Sequence, residues 1–230
     1  MKPSVFLQDF VGLLFPEVCL SCGQVLYKGE DQLCTHCIFQ LPKTNFHKDP
    51  MNEVRIKFIG KIDLEYAFTY LRFTKKGNVQ KLLHQIKYRN KPELAEKMGK
   101  WFGGDLKDDG FDSKFDLIIP IPLHKSRLRK RGYNQSDYFA RGISEELDIP
   151  WNGAAVNRII KSDTQTRKSR ADRWENVANI FEVIDHDKIS GKRILLVDDV
   201  ITSGATLEAC GMQLIQNNCK SLSIATIASA

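Results

Sequence analysis

The segment Ile194-Leu-Leu-Val-Asp-Asp-Val-Ile-Thr-Ser-Gly-Ala-Thr206 decides the reading of this chain. Its apolar run, Ile194 to Val197, reads as a buried strand and ends in two adjacent carboxylates, Asp198 and Asp199. Thr202, Ser203, Gly204, Ala205 and Thr206 follow, and then a stretch that reads as a helix. A strand that passes through a hydroxyl- and glycine-rich turn into a helix start makes a phosphate site, because the first backbone N–H groups of a helix have no partner within it. The carboxylates would repel a phosphate; they suit sugar hydroxyls or a Mg²⁺ ion instead. One short turn therefore offers a place for a phosphorylated ribose. A strand ending in an exposed acidic turn is the plainer reading, but packing alone does not call for a paired acid fused to T-S-G-A-T.

Other phosphate motifs are excluded. Gly191-Lys192 is followed by Arg193 and lacks the upstream glycine of G-x-x-x-x-G-K-[ST], and no G-x-G-x-x-G occurs, which argues against a nucleotide-hydrolysing P-loop and a dinucleotide-binding unit. The 230 residues suit one medium domain with a small appendage, and 42% hydrophobic and 27% charged residues are a globular balance. No run of about 18 apolar residues exists to span a membrane. Lys2, Asp9 and Glu17 interrupt the N-terminal apolar stretch, and no small-residue cleavage site follows, so the expectation is a cytoplasmic protein without a signal peptide. The net charge of +6, from 34 basic and 28 acidic side chains, permits an anionic partner without demanding one.

Four of the six cysteines fall at Cys19-x-x-Cys22 and Cys34-x-x-Cys37. Two such knuckles can supply four thiolates in a tetrahedron around Zn²⁺, with nothing left open for water, which marks a structural site. Gly23 follows the first knuckle where a tight turn needs a positive φ. So small a segment buries no sufficient core, and zinc, worth about 10–16 kcal/mol in structural peptides, supplies what is missing. Free thiols or disulfides are the alternative, the latter disfavoured in a reducing compartment. His36 is a bystander on this reading, Cys210 packs in the core, and Cys219 lies at a boundary.

The remaining pattern alternates strands with helices. Helices are expected over residues 4–14, 79–88, 92 to about 102 (stopping before Gly103-Gly104), 133–147 and 203–216; strands over 66–73, 115–120, 154–160, 181–184, 192–197 and 222–227; and a connection over 43–63. Such alternation implies an α/β fold, a mostly parallel sheet with helices on both faces, with ligands beyond the carboxyl ends of its strands. The expected division is residues 1–60, an N-terminal helix and zinc ribbon, and residues 61–230, the α/β domain. The chain ends at Ala230 directly after its last strand, so no C-terminal acceptor domain is expected.

Two further segments bear charge. Pro120, Ile121 and Pro122 lead into Lys125, Arg127, Arg129, Lys130 and Arg131, five cations in seven positions, as a loop that suits a pyrophosphate; the alternative is an ordinary solvated loop. The stretch from Thr164 to Phe181 carries Arg167, Lys168, Arg170 and Arg173, and as a cationic loop it would close over a charged ligand.

The turn resembles the ribose-phosphate signature of type I phosphoribosyltransferases, matching at Asp198, Asp199, Thr202, Gly204 and Thr206, with Ser203 where a second threonine is commoner. The resemblance implies that the acids hold the 2- and 3-hydroxyls of phosphoribosyl pyrophosphate (PRPP) and that residues 202–206 grip its 5-phosphate. In addition, Phe15-Pro16-x-x-Cys-x-x-Cys-Gly23, Ile86-Lys-Tyr-Arg89, Pro120-Ile-Pro122, Arg131-Gly-Tyr-Asn-Gln135 and the Gln165…Arg173…Asn176…Phe181 spacing occur in one order. Together they resemble the ComF family over nearly the whole chain. That resemblance implies a type I phosphoribosyltransferase fold with an N-terminal zinc ribbon and a link to natural competence, transformation and the handling of incoming single-stranded DNA. Its acceptor substrate is undefined. On this basis the expected ligands are structural Zn²⁺ at Cys19, Cys22, Cys34 and Cys37 and Mg²⁺ with PRPP. Asp198, Asp199 and Arg173 are the expected catalytic residues, with Pro120, Ile121 and Lys125 for pyrophosphate and Ala205 among the phosphate-binding residues. Arg127, Arg129, Lys130, Arg131, Arg167 and Arg170 are the candidates for nucleic acid, with competence or recombination proteins as further partners. Two functions stand: a PRPP-dependent transferase, or a non-catalytic single-stranded nucleic-acid-binding protein in which PRPP regulates.

Overall fold

The fold was analysed in a computed structural model that describes residues 16–159 and 180–229. The expected helix at 4–14 and the cationic residues 164–173, including Arg167, Arg170 and Arg173, lie outside the described residues. Four strands, β1 (Ala67–Arg72), β2 (Leu117–Pro120), β5 (Arg193–Ile201) and β6 (Ser221–Ser229), form an all-parallel sheet in the order β1-β6-β5-β2. A separate antiparallel pair, β3 (Val156–Arg158) and β4 (Phe181–Val183), stands apart from it.

The strands are buried on both faces, as near-continuous apolar sequence requires of a parallel sheet. Side chains alternate between the two faces. Leu195 and Val197 of β5 join Phe68, Tyr70, Ala225 and Ile227 against three helices, α3 (Asn78–Tyr88), α4 (Pro92–Asp108) and α6 (Gln135–Leu147). Ile194 and Leu196 point the other way, with Leu117, Ile119, Leu222 and Ile224, against α7 (Ala205–Gln216) and the β3–β4 pair. Layers of helix on each face of a parallel sheet thus match the expected class.

Three expectations are corrected. Helix α4 does not stop before Gly103-Gly104 but runs on to Asp108. The glycines serve close packing, not termination: a Cβ on Gly103 would stand 2.8 Å from Cβ of Glu146, one on Gly99 2.3 Å from the Phe139 carbonyl oxygen, and one on Gly142 of α6 2.1 Å from the Glu96 carbonyl oxygen. Only a missing side chain lets the two backbones approach so near. The basic segment is not a loop but a short helix, α5 (Lys125–Arg131). Lysine, arginine and leucine favour helix, the His124 ring accepts the Ser126 N–H at 3.2 Å, and the Gly132 N–H donates to the Leu128 carbonyl at 2.7 Å. Strand β5 continues past Val197 to Ile201, pairing Asp198 with Thr226 and Val200 with Ala228, so the acids are strand residues and not turn residues.

The 43–63 connection holds a 3₁₀ turn at Phe46–Lys48 and a short helix, α2 (Glu53–Ile56), capped by the Asn52 side chain, which accepts from Val54 and Arg55 N–H groups at 3.1 Å. The cysteine segment includes helix α1 (Thr35–Phe39) and packs on the main body: Cys19, Leu33, Cys34 and Cys37 are part of the same buried cluster as α3 and α4, and Lys97 reaches the Asp31 carbonyl at 2.7 Å and its carboxylate at 3.1 Å. Among the described residues no helix is long and apolar enough to cross a membrane.

Candidate functional site

Asp198 and Asp199 are consecutive residues of β5, and neighbouring residues at the start of α6 hold each of them. Asp199 is buried, with 7% of its surface exposed. Lys87, in the last turn of α3, places its Nζ 3.0 Å from Asp199 Oδ2, and the Gln135 side-chain amide donates to the same oxygen. Asp198 Oδ1 accepts the Ser136 hydroxyl at 3.0 Å and the Asp199 N–H at 2.8 Å. Burial first, and the neighbouring Asp199 charge second, push the Asp198 carboxyl up to about 7, against the pull of those two donors and of Lys87.

The segment Arg131-Gly-Tyr-Asn-Gln-Ser136 ties this site together. The Arg131 guanidinium donates to the Gln135 Oε1, so the amide that holds Asp199 is itself oriented. The Tyr133 hydroxyl donates to the Ile86 carbonyl and pins the end of α3 that carries Lys87. Asn134 caps α6 by accepting the Ser136 N–H at 3.3 Å and donates through its amide to the Ile121 carbonyl at 2.9 Å. One short stretch therefore fixes β2, α3 and β5 relative to one another.

A cavity of about 680 Å³ opens over these groups. Asp198, Asp199 and Val200 line it, with Thr206 at the first turn of α7, Ile121 to Leu123 after β2, Lys87, Tyr88 and Asn90 around the end of α3, and residues 133–136. Four more cations border it: Arg127, Lys130 and Arg131 from α5, and Arg158 from β3. Burial and then the charge of Arg127 lower the Arg158 guanidinium, against the pull of the Asp198 carboxylate. Pro120, Lys125, Arg129 and Thr202 to Ala205 are not among the lining residues.

The loop into α7 is backed by the chain's own connection. Gly204 adopts φ +81 as the N-cap, and a Cβ there would meet the Phe58 ring at 2.8 Å; Lys57 Nζ donates to the Thr202 carbonyl at 3.2 Å. A glycine both permits the left-handed turn and leaves room for the ring. Gly204 itself offers helix α7 no side-chain cap, and the Ser203 hydroxyl oxygen accepts the Ala205 N–H at 3.4 Å.

The cysteine centre lies apart. The sulfurs of Cys19, Cys22, Cys34 and Cys37 all fall within 4.8 Å of one another, with Cys22 and Cys34 at 3.8 Å, close to the separation expected around a tetrahedral Zn²⁺. The Gly23 N–H closes the first knuckle on the Cys19 carbonyl at 2.9 Å, and its φ of +79 is the turn conformation the sequence calls for. Burial raises the Cys19 thiol, but N–H groups of Cys22, Cys34 and Ser21 outweigh it and hold it down to about 6, while burial pushes the Cys37 thiol up to about 12. Four thiols so close resist ionising together without a cation. All four are free of disulfides. The set fits a structural metal such as zinc.

Sequence reasoning assigned no role to Lys87, Gln135, Ser136 or Arg158. The first three lie in or beside motifs carried by the family resemblance, but nothing in their spacing says that α3 and α6 converge on β5.

Comparison with known proteins bears on this arrangement. The phosphoribosyl transferase domain family profile matches residues 134–230, a span that contains β5, the acid pair and the loop into α7. Competence protein F of Haemophilus influenzae is 41% identical over 93 residues, 40% of this chain and 41% of its own length. DNA utilization protein YhgH of Escherichia coli K12 is 28% identical over 147 residues, 62% of this chain and 63% of its own. Competence protein ComFC of Bacillus subtilis is 26% identical over 204 residues, 83% and 81% of the two chains. Together these matches support a ComF-family, phosphoribosyltransferase-like protein. Competence protein F and YhgH are each matched by this chain over less than two thirds of their length. Lys87, Arg127, Lys130 and Arg131 fall before the phosphoribosyl transferase match, so four of this site's five cations come from outside it.

Proposed function

We propose that the chain binds PRPP with Mg²⁺ in the cavity over β5 and transfers its phosphoribosyl group to an acceptor in the context of DNA uptake. The observation that carries this reading is the acid pair: two carboxylates at the carboxyl end of a parallel strand, one loop before a helix start whose N-cap is a glycine, beneath a wall of cations. Asp198 and Asp199 orient the ribose hydroxyls through the oxygens that the described donors leave over. Backbone N–H groups at Ser203 to Thr206 take the 5-phosphate, favoured by the helix dipole. Arg127, Lys130, Arg131 and Arg158 neutralise the pyrophosphate. The donor set fits Mg²⁺ in the company of the ligand, whose phosphates supply most of its oxygen shell. When bound, the metal withdraws charge from the leaving pyrophosphate.

In the transfer, the acceptor's lone pair forms the new bond to ribose C1 while the C1–O bond to pyrophosphate breaks and its electron pair leaves with the pyrophosphate. Neither aspartate is the nucleophile. The chain's residues bind, orient and stabilise charge. The four-cysteine centre, as Zn²⁺ site, holds the N-terminal ribbon on α4. The relatives' names, competence protein and DNA utilization protein, support single-stranded DNA as partner. A binding role for DNA with PRPP as regulator is favoured by Tyr88, 69% exposed at the cavity with the Arg131 guanidinium 5.7 Å from its ring centroid, an arrangement on which bases can stack.

Pyrophosphate release from PRPP in the presence of a nucleobase, an amine or single-stranded DNA tests the catalytic reading. Release that depends on one of these supports it. PRPP binding without release from any of them removes the transferase and leaves the regulatory ligand.

A further inference from the structure

We propose that Lys87 is the resident counter-ion of the acid pair: a positioning residue that holds Asp199 for the ribose and keeps a divalent cation from binding that carboxylate unless it arrives with the phosphorylated ligand. The proposal's PRPP arm rests on the ribose-phosphate reading; its metal arm does not. Lys87 Nζ stands 3.0 Å from Asp199 Oδ2, with its side chain 23% exposed, and the Gln135 amide donates to the same oxygen. Both lone-pair directions of that oxygen are thus taken by protein donors. A divalent cation seeking it would have to displace an amide and approach an ammonium charge directly.

The placement of Lys87 is built, not incidental. It sits in the last turn of an 11-residue helix, where a cation is favoured by the helix dipole. The Tyr133 hydroxyl fixes the carbonyl of the preceding residue, Ile86. Without Lys87 the floor would hold two adjacent carboxylates of which one, Asp198, already resists ionisation through burial and, second, through the charge of the other. An opposite charge 3.0 Å away keeps Asp199 in place and ready, and it lets an anion approach a floor that would otherwise repel it.

The test uses the full chain at pH 8 and two probes, Mn²⁺ alone and PRPP without divalent metal. Free Mn²⁺ is followed by its paramagnetic resonance signal, PRPP by calorimetry. The expected result is that Lys87→Met binds Mn²⁺ at least tenfold more tightly than the wild type, and binds metal-free PRPP at least tenfold more weakly, with saturating Mg²⁺ closing most of that gap. Lys87→Arg, which retains the charge, keeps the wild-type Mn²⁺ behaviour and guards against a folding defect in the methionine variant. Equal Mn²⁺ affinity in wild type, Lys87→Met and Lys87→Arg overturns the proposal. A wild type that binds no PRPP in any condition sinks the ribose-phosphate reading instead, and the Mn²⁺ comparison still decides the role of Lys87.

Discussion

Replacing Asp198 by Asn should make the free protein more stable at alkaline pH while it damages the site. The carboxyl lies at about 7 in the folded chain against 3.8 for an ordinary aspartate, raised by burial and by Asp199. An acid whose folded value is raised destabilises the fold above that value: the folded chain binds the proton more tightly than the unfolded one, so stability falls as pH rises from about 4 to 7, and the full penalty stands above 7. A shift of about three pH units corresponds to about 4 kcal/mol at 1.36 kcal/mol each, and the mutual influence of the two aspartates brings the expected gain to about 2–4 kcal/mol at pH 8. Asparagine keeps an oxygen to accept from the Ser136 hydroxyl and the Asp199 N–H, so those contacts survive. At pH 5 the folded carboxyl is already protonated and the gain shrinks to about 1–2 kcal/mol. For a chain of this size the pH 8 difference is roughly 5–10 °C in Tm. Thermal melts of both proteins from pH 5 to 8.5, in chelator to exclude divalent metal other than tightly held zinc, measure it. A gain that does not grow with pH, or a loss at pH 8, refutes the reasoning about Asp198.

Three other outcomes are expected. Metal analysis of freshly reduced protein should give about one zinc per chain, and Cys37→Ser, removing one of four ligands, should lose it and melt well below the wild type; a zinc content near zero excludes the ribbon as a metal site. Gly142→Ala should destabilise by about 1–3 kcal/mol in urea denaturation, because its Cβ meets the Glu96 carbonyl, while Gly104→Ala, with nothing within 4 Å, should stabilise by about 0.5–1 kcal/mol; equal effects would contradict the close α4–α6 crossing. Gly204→Ala should weaken PRPP binding at least tenfold by straining the left-handed cap against Phe58, and Phe58→Leu should restore part of it; unimpaired binding in Gly204→Ala would show that the loop does not hold the phosphate.

The sheet was legible where periodicity is strong. Phe68 to Leu71, Leu117 to Ile119, Ile194 to Val197 and Leu222 to Ala228 are apolar runs with few other uses, and every one is a strand. Gly103-Gly104 misled because a glycine pair marks a stop in local sequence yet serves a helix crossing in three dimensions, a distinction that needs the partner helix. The basic segment misled for the converse reason: its charge suggested a loop, whereas its helix propensity and the flanking His124 and Gly132 decided the conformation. At the site, Asp198, Asp199 and Thr206 could be named because they are contiguous with a strand and a helix start. Lys87, Gln135, Ser136 and Arg158 could not, since their meeting depends on how α3, α6 and β3 pack around β5.

On the function proposed above, the acid pair makes a ribose-phosphate site. Calorimetric titration of PRPP with Mg²⁺ into the wild type and into a double variant, Asp198→Asn with Asp199→Asn, tests it most directly. Saturable binding to the wild type and a loss of at least a hundredfold in the double variant are expected, with the variant still folded by its melting transition. Full PRPP affinity in that folded double variant would contradict it.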